Sequence, residues 1–328
     1  MKARIDHELL PELSGAGANI VFIDPPDHPN VGDSAIFLGE IDFLRRAVPT
    51  ANMLYFDRHS FSDAALPIIE RADLIFLHGG GNFGDIWPSH HRLRMSILSQ
   101  FPHKRIVQFP QSIHFQDEAT LSETARLIEK ASQFTLLTRD VYSMQYAEQR
   151  FQCRIKLCPD MAFAMKEIRR KRAIVRYLCL LRTDKEVATN HQAVISALSE
   201  EEQRYELVDW LSEQNTVTKR ADKLMRKIYR RSSDAMYLAG HLAFRARERY
   251  ARSRLGVGIS LLSRGETVIT DRLHGYIIST LLDIPSLVFD SYDGKIFSFH
   301  RTWMHDSPKA RIMTSIEEFR KTIYEAKN

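Results

Sequence analysis

Cysteine is scarce in this sequence: Cys153, Cys158 and Cys179 are the three thiols among 328 residues. Their number is odd, and none of them stands near histidines at the spacing of a zinc finger. We therefore expect buried free thiols. The scattered histidines also show no spacing typical of a metal site, so we expect no metal.

Long apolar runs are absent as well. None reaches the roughly 18 residues that a membrane span needs, and residues 1–12 are polar and of mixed charge, unlike the apolar core of a signal peptide. We expect a cytoplasmic protein. With 44% hydrophobic and 27% charged residues the chain can bury a substantial core, and its length fits two domains of about 150 residues.

Excess basic charge is confined to residues 219–254. This segment holds twelve basic and three acidic residues, a local net charge of +9, so the rest of a chain of total charge +5 sums to −4. Such a distribution points to one anionic surface partner rather than to nucleic-acid binding. Leu224, Ile228, Leu238 and Leu242 have helical spacing within it. That spacing fits a helix resting on an anionic membrane surface and equally the solvated face of a helix packed on the second domain.

Short β-rich apolar runs alternate with helix-like segments such as 34–47, which predicts parallel sheets flanked by helices. The predicted strands are residues 20–23, 53–56, 74–77, 106–109, 134–137, 177–181, 206–208, 268–270 and 287–289. A polar, basic stretch separates the halves at 166–172. We predict an α/β protein of two Rossmann-like, doubly wound domains, 1–167 and 168–328, with a basic helical insertion at about 213–255 in the second. Two such domains would leave a cleft where the carboxyl ends of both sheets face each other.

A glycine-rich motif follows the strand at 74–77. In residues 78–85 (HGGGNFGD), Gly80 and Gly81 let backbone amides approach an anion closely. The motif lacks the Lys-Ser/Thr of a Walker A loop. A tight turn that joins the sheet to a helix is the alternative interpretation.

Two further polar segments in the first half follow predicted strands. Residues 30–34 (NVGDS) open a helix, where Asp33 either caps the helix or orients a sugar hydroxyl. In residues 108–114 (QFPQSIH), Gln111 and Ser112 suit sugar recognition, or else satisfy loop backbone.

In the second half, Arg182 comes directly after the predicted strand 177–181, Arg272 follows the predicted strand 268–270 after one residue, and His274 follows Arg272 by two residues. Arginine suits bidentate recognition of carboxylate or phosphate, as in phosphoenolpyruvate or a nucleotide diphosphate, and histidine is a candidate acid or base. Taken singly, each arginine could pair with Asp184 or Asp271, and His274 could bind backbone. The matched placement at two strand ends favours an anion site.

In their order along the chain, these motifs resemble the signature of the polysaccharide pyruvyl transferases, closest in the bacterial exopolysaccharide branch. The shared motifs are NVGD at 30–33, GGGNFGD at 79–85, PQSI at 110–113, RTD at 182–184, DRLHG at 271–275 and SYDGK at 291–295. The resemblance extends from about residue 20 to about residue 305. It implies a fold similar to the two-domain glycosyltransferase-B arrangement.

The resemblance further implies an enzyme that transfers pyruvate from phosphoenolpyruvate, as co-substrate and without a cofactor, to a sugar of an exopolysaccharide or cell-surface glycan precursor, forming a pyruvate ketal and releasing phosphate. His274 would protonate the donor's methylene carbon, and Arg182 and Arg272 of the second domain would hold its carboxylate and phosphate. The acceptor-side residues of the first domain would be Asp33, Gly80, Gly81, Asn82, Asp85, Gln111 and Ser112.

Two other functions are alternatives, although the second of them leaves Arg182, Arg272 and His274 without a role. In a nucleotide-sugar glycosyltransferase of similar fold the two arginines would grip a diphosphate. A non-catalytic glycan-binding assembly subunit would bind sugar and release no phosphate.

With a lipid-linked acceptor, the basic segment 219–254 would hold the enzyme at the inner face of the cell membrane.

Overall fold

The computed structural model describes residues 1–15, 17, 19–182, 189–211, 216–229, 232–291 and 294–326. The chain divides into two compact units. Unit 1 comprises Met1–His28, Asp33–Lys166 and Asn215–Ser253, and unit 2 comprises Pro29–Gly32, Glu167–Gln214 and Arg254–Asn328.

Unit 1 contains a seven-stranded parallel sheet of order β2-β1-β3-β5-β6-β7, with β4 paired to β5 beside this path. Its strands are β1 Asn19–Ile23, β2 Asn52–Phe56, β3 Leu74–Leu77, β4 Gly80–Gly84, β5 Arg105–His114, β6 Gln133–Thr138 and β7 Arg154–Leu157. Its helices include α1 Lys2–Leu13, α2 Val31–Ala47, α3 Leu66–Glu70, α4 Pro88–Gln100, α5 Glu118–Lys130 and α6 Val141–Arg150. The central strand β3 is buried throughout, as expected for a parallel sheet covered on both faces.

Residues Gly80–Gly84 of the glycine-rich segment form strand β4, so the interpretation of this segment as a tight turn is wrong. Its glycines have positive φ at Gly80 (121°) and Gly84 (130°), and a Cβ at Gly84 would lie 1.7 Å from the His114 carbonyl oxygen. Glycine is therefore needed because the backbone runs against β5, not because the chain reverses there.

Unit 2 contains a five-stranded parallel sheet of order β12-β11-β10-β8-β9. Its strands are β8 Val175–Leu180, β9 Tyr205–Val208, β10 Gly265–Thr270, β11 Ser286–Val288 and β12 Ala310–Ile312. Its helices include α7 His191–Glu200, α10 Leu273–Leu281, α11 Lys295–Phe299 and α12 Ile316–Glu325. Val194, Leu198, Phe319 and Ile323 of α7 and α12 pack with Ile269 of β10 in the core of this unit.

The two sheets share the strand order around their first strand. In each, the first strand of the unit lies between the second and the third, so the strand order reverses between β1 and β3 in unit 1 and between β8 and β10 in unit 2. We call these positions the switch points; ligands of open α/β sheets bind at such positions, outside the carboxyl ends of the strands. The predicted fold class, an α/β protein with two Rossmann-like, doubly wound sheets, is confirmed in each unit.

The basic segment forms α8 Thr216–Tyr229 and most of the 30-residue α9 Ser233–Leu262. It was predicted as an insertion of the second domain, but residues up to Ser253 belong to unit 1. The reason is a set of tertiary contacts: the Tyr229 hydroxyl donates to the Tyr55 carbonyl (2.7 Å), and the Arg247 guanidinium binds Asp57 (2.8 Å). No helix in the described ranges is both long and apolar enough to cross a membrane.

All three cysteines are free, as predicted. Cys158 and Cys179 are buried, whereas Cys153 is partly exposed. Burial raises the pKa of Cys179 and of Cys153 to about 12, so these thiols are held in the protonated form, which is poorly reactive.

Candidate active site

Arg182 and Arg272 lie at the switch point of unit 2. Leu180 at the end of β8 and Thr270 at the end of β10 are paired across the two strands, and each arginine follows its strand by two residues. Both side chains are buried. The structure thus brings the two predicted arginines to neighbouring strand ends within one unit.

Asp271 lies between them and fixes the backbone of the first. One of its oxygens accepts the Arg182 backbone N–H (2.8 Å), and the other lies 2.8 Å from Nε2 of His191 at the start of α7. The carboxylate is fully buried. Asp271 was considered as an ion-pair partner of an arginine side chain, and the structure shows these backbone and histidine contacts. The other candidate partner, Asp184, lies outside the described residues, as does Thr183.

Arg272 has neighbours that the sequence did not identify. Its Nη2 lies 3.6 Å from the Asp209 carboxylate, and its guanidinium carbon lies 5.9 Å from the ring centre of the buried Trp210. Arg254 binds the Trp210 carbonyl and donates to the Pro29 carbonyl (2.9 Å). Residues 209–210 directly follow β9, so the strand-end rule that selected Arg182 and Arg272 would also have found Asp209 and Trp210.

His274 is the second residue of α10 and is partly exposed. Its ring packs on the backbone of Gly32, where an added Cβ would lie 2.5 Å from His274 Nδ1. The next residue, Gly275, is equally constrained, since a Cβ there would lie 2.6 Å from Thr270 Oγ1. Glycine at position 32 therefore leaves room for the His274 ring, and glycine at position 275 allows the start of α10 to pack against the end of β10.

At the switch point of unit 1 stands a buried Glu40–His78 pair that was not predicted. His78 Nδ1 lies 2.7 Å from Glu40 Oε2, and Glu40 Oε1 accepts the Gly79 N–H (2.8 Å). Burial alone would lower the pKa of His78, but the Glu40 carboxylate outweighs it and raises the pKa. Burial also raises the pKa of Glu40. The two residues are 38 positions apart, and no local pattern joins them.

The carbonyl group of His78 is held by several side chains. Nε2 of Gln108 and Nε2 of Gln111 each donate to it at 2.8 Å, and Arg94 contributes a longer contact at 3.4 Å. Gln111 also donates to Asn82 Oδ1 (3.0 Å) and accepts the Asn82 backbone N–H (3.2 Å). Gln111 is fully buried. Among the two roles considered for Gln111, the structure shows the second, which is to satisfy the backbone of the glycine-rich segment.

Ser112 and Asp85 also have protein partners. The Ser112 hydroxyl donates to Asp140 (2.8 Å) and accepts from Arg139 Nε (2.9 Å). Arg139 further binds Asp160 (2.9 Å) and would lie 2.9 Å from a Cβ at Gly81. One Asp85 oxygen accepts the backbone N–H groups of residues 116 and 117, both at 2.6 Å. Glycine at position 81 thus accommodates the buried Arg139.

Asp33 lies in the first turn of α2 rather than at its N-cap, because Asn30 supplies the capping hydrogen bond to the Gly32 N–H (2.9 Å). Its carboxylate is partly exposed and 3.6 Å from His28 Nε2. A Cβ at Gly80 would lie 3.6 Å from Asp33 Oδ1. Burial lowers the pKa of His28, although Asp33 and Asp27 oppose this effect. Asp33 and Gly80 are therefore neighbours at the carboxyl edge of this sheet.

Two residues of the SYDGK motif, Tyr292 and Asp293, lie outside the described residues, and Lys295 begins α11. Among the residues that the structure does describe, no group of three or more histidine, cysteine, aspartate or glutamate side chains is placed to hold a metal ion.

Comparisons with known proteins identify the family. Residues 30–293 match the family described as polysaccharide pyruvyl transferase. Pyruvyl transferase 1 of Schizosaccharomyces pombe is 32% identical over an alignment of 301 residues, which covers 87% of this chain and 70% of the yeast protein. EpsO of Bacillus subtilis, named as a pyruvyl transferase, is 30% identical over an alignment of 304 residues, which covers 90% of this chain and 88% of EpsO.

Among solved structures, a functionally uncharacterised protein of Klebsiella pneumoniae has a TM-score of 0.60 at 18% identity, covering 96% of this chain and 99% of that one. This likeness shows the fold alone. Family match and identities together show that the chain belongs to the polysaccharide pyruvyl transferase family and is an enzyme of that family.

Proposed function

We propose that the enzyme uses phosphoenolpyruvate as donor and joins its pyruvate unit, as a ketal, to two hydroxyls of a sugar in an exopolysaccharide or cell-surface glycan precursor. The observation that carries this proposal is the placement of Arg182 and Arg272 after paired residues at the switch point of unit 2, with His274 in the first turn of the helix that follows.

The reaction requires a proton, an anion clamp and a means of orienting a diol. Protonation of the donor's methylene carbon turns it into a methyl group and leaves C2 electron-deficient. One sugar hydroxyl adds to C2, the C2–O bond to phosphate breaks, and the second hydroxyl adds in its place. Each hydroxyl loses its proton, so the products are the ketal and inorganic phosphate.

The arginines are suited to the donor's two anionic groups. A planar guanidinium can make two parallel hydrogen bonds to a carboxylate or a phosphate, and burial strengthens these bonds. In the proposal, Arg182 and Arg272 hold the carboxylate and the phosphate. Asp271 and His191 keep the Arg182 backbone in place. Holding reactants in such a geometry can lower a barrier by about 7–11 kcal/mol in favourable cases.

His274 is proposed as the acid that protonates the methylene carbon. Its partly exposed ring stands two residues after Arg272, so a donor held by the arginine would lie within its reach. Histidine is suited to this task because its ordinary pKa lies near neutrality. The arginines neutralise the departing phosphate, so the proposed reaction needs neither a metal nor a cofactor.

Unit 1 is proposed to carry the acceptor side. Asp33 is partly exposed at the carboxyl edge of its sheet, and its carboxylate can accept hydrogen bonds from sugar hydroxyls. Gly80 and Gly81 would present backbone beside it. Asn82, Asp85, Gln111 and Ser112 then act indirectly, because their polar groups hold the surrounding loops.

The test is to incubate the protein with phosphoenolpyruvate and a panel of aryl and lipid-linked glycosides, and to follow phosphate release and product mass. We expect phosphate release and a product heavier by one pyruvate ketal, both lost in His274→Ala and unaffected by a chelator. The matched control His305→Ala alters an exposed histidine of the same unit and should react normally. Turnover of a nucleotide-sugar donor, with phosphoenolpyruvate inert, would instead identify a glycosyltransferase.

A further inference from the structure

The basic segment separates into an inner and an outer side once it is folded. Three of its arginines face the rest of unit 1 and form ion pairs with carboxylates there. Arg247 binds Asp57 and Asp222 at 2.8 and 2.7 Å and is fully buried. Arg226 contacts Asp27 at 3.3 Å, and Arg252 contacts Asp42 at 3.1 Å. The charge available to a partner is therefore that of the outer side alone.

The outer side carries exposed apolar side chains. Val217, Leu224 and Ile228 on α8 are 72%, 58% and 36% exposed, and Leu238 and Leu242 on α9 are 84% and 58% exposed. Of the thirteen large hydrophobic residues exposed in the described part of the chain, these five fall within 26 consecutive positions. Such a concentration marks an interaction surface rather than scattered exposure.

Exposed basic residues accompany these apolar ones. They are Arg220, Lys223 and Lys227 on α8 and Arg245 and Arg249 on α9, with Asp234 as an exposed acidic residue. On α9, the two leucines lie one turn apart, and the two arginines continue along the same side. Exposed apolar residues with lysine and arginine around them are typical of helices that lie in a membrane interface.

We propose that the outer sides of α8 and α9 dock on an anionic lipid bilayer. The leucines, Ile228 and Val217 enter the boundary between headgroups and acyl chains, and the lysines and arginines contact the lipid phosphates. A nucleic acid would match the charge but not the exposed leucines, which would remain in water. The inference does not depend on the proposed reaction, because none of these exposed residues is assigned a part in it.

The experiment is flotation of the full chain with vesicles of phosphatidylcholine alone and of equal parts phosphatidylcholine and phosphatidylglycerol. We expect binding only to the anionic vesicles, weakened at least about tenfold at high salt because the attraction is screened. Leu238→Glu/Leu242→Glu and Arg245→Glu/Arg249→Glu should each abolish it. Leu10→Glu alters an exposed leucine (48%) elsewhere in unit 1 and should bind as the unchanged protein does.

Unfolding curves of all variants check that the helices remain folded. Absence of binding to anionic vesicles at low salt would overturn the inference, as would unchanged binding of the double leucine variant. Sedimentation gives the third contrary outcome: a dimer that the leucine variant dissociates, without vesicle binding, would mean that a second copy covers this surface. Turnover of a soluble acceptor should not change in the leucine variant. A failure of the membrane-binding proposal would therefore not affect the proposed reaction.

Discussion

The two switch points share a local strand order and differ in the polar side chains that follow their strands. In unit 1 the residues around the ends of β1 and β3 include Asp33 and the buried Glu40–His78 pair. In unit 2 the ends of β8 and β10 are followed by Arg182 and Arg272. The same strand order therefore provides an edge that can accept hydrogen bonds from hydroxyls in one unit, and an edge that can bind anions in the other. Topology determines where a site forms, and the side chains determine what it binds.

The largest effect on turnover is expected for substitution of His274. A large effect would establish that unit 2 supplies the acid of the reaction. His274→Ala removes the proposed acid and should lower kcat for phosphate release by about 10²–10⁴-fold, with little change in the affinity for phosphoenolpyruvate. Steady-state kinetics measure both quantities, with His305→Ala as the control. An unchanged kcat would contradict the assignment of His274, and the proton would then come from a residue of unit 1 or from solvent.

Arg272→Ala tests the anion edge itself. Loss of one partner of a buried charge pair costs about 2–5 kcal/mol, so kcat/KM for phosphoenolpyruvate should fall by about 30- to 4,000-fold. Arg272→Lys keeps the charge but loses the planar, two-pronged hydrogen-bonding geometry of the guanidinium. Its kcat/KM should therefore lie between those of Arg272→Ala and the unchanged protein. Arg311→Ala, a half-exposed arginine paired with Glu318 in the same unit, is the control. Equal losses in Arg272→Ala and Arg311→Ala would contradict the assignment.

Glu40→Gln tests the buried pair of unit 1. Because the pKa of His78 is raised in the folded protein, its stabilising contribution is fully present below about pH 6.5 and is lost as the pH rises through the raised pKa. The variant should lower the free energy of unfolding by about 1–3 kcal/mol at pH 6 and by less at pH 9.

Denaturant unfolding at the two pH values measures this difference. The control is Glu70→Gln, which alters an exposed glutamate 2.9 Å from His103 and should show no measurable change. If Glu40→Gln lowered the free energy of unfolding by the same amount at both pH values, the pair would not contribute a pH-dependent stability.

The smallest effect is expected at Asp33. Asp33→Ala should raise the acceptor KM by about fivefold, since one hydrogen bond contributes about 1 kcal/mol, and should leave the phosphoenolpyruvate KM unchanged. Initial rates at varied acceptor concentration measure it, with the exposed Asp63→Ala as the control. If the donor KM rose instead, the two edges would not be divided between donor and acceptor as proposed.

The sequence predicted the central strands well, because runs such as LIFL at β3 are apolar, branched and bounded by turn residues. It missed β4, since glycine has a low strand propensity and the pairing is with β5, more than twenty residues away. It also missed β7 and β12, which are short edge strands with charged residues. Short, polar strands at a sheet edge lack the apolar pattern by which a strand is recognised in a sequence.

Only the part of the candidate site that local sequence pattern encodes was predicted. Arg182 and Arg272 were found because strand ends are visible in a sequence. Glu40 and His78 were not, because their contact joins a helix to a strand end. Arg247 was counted with a basic surface, although tertiary ion pairs bury it. Long-range partners of charged residues are the part of the structure that local pattern does not encode.

The division of the two edges is tested most directly by calorimetric binding of phosphoenolpyruvate, without acceptor, to the unchanged protein, Arg182→Ala/Arg272→Ala and Asp33→Ala. The account predicts binding in the unchanged protein and in Asp33→Ala, and its loss in the double arginine variant. Retention of binding without both arginines, together with its loss in Asp33→Ala, would place the donor in unit 1 and contradict the account.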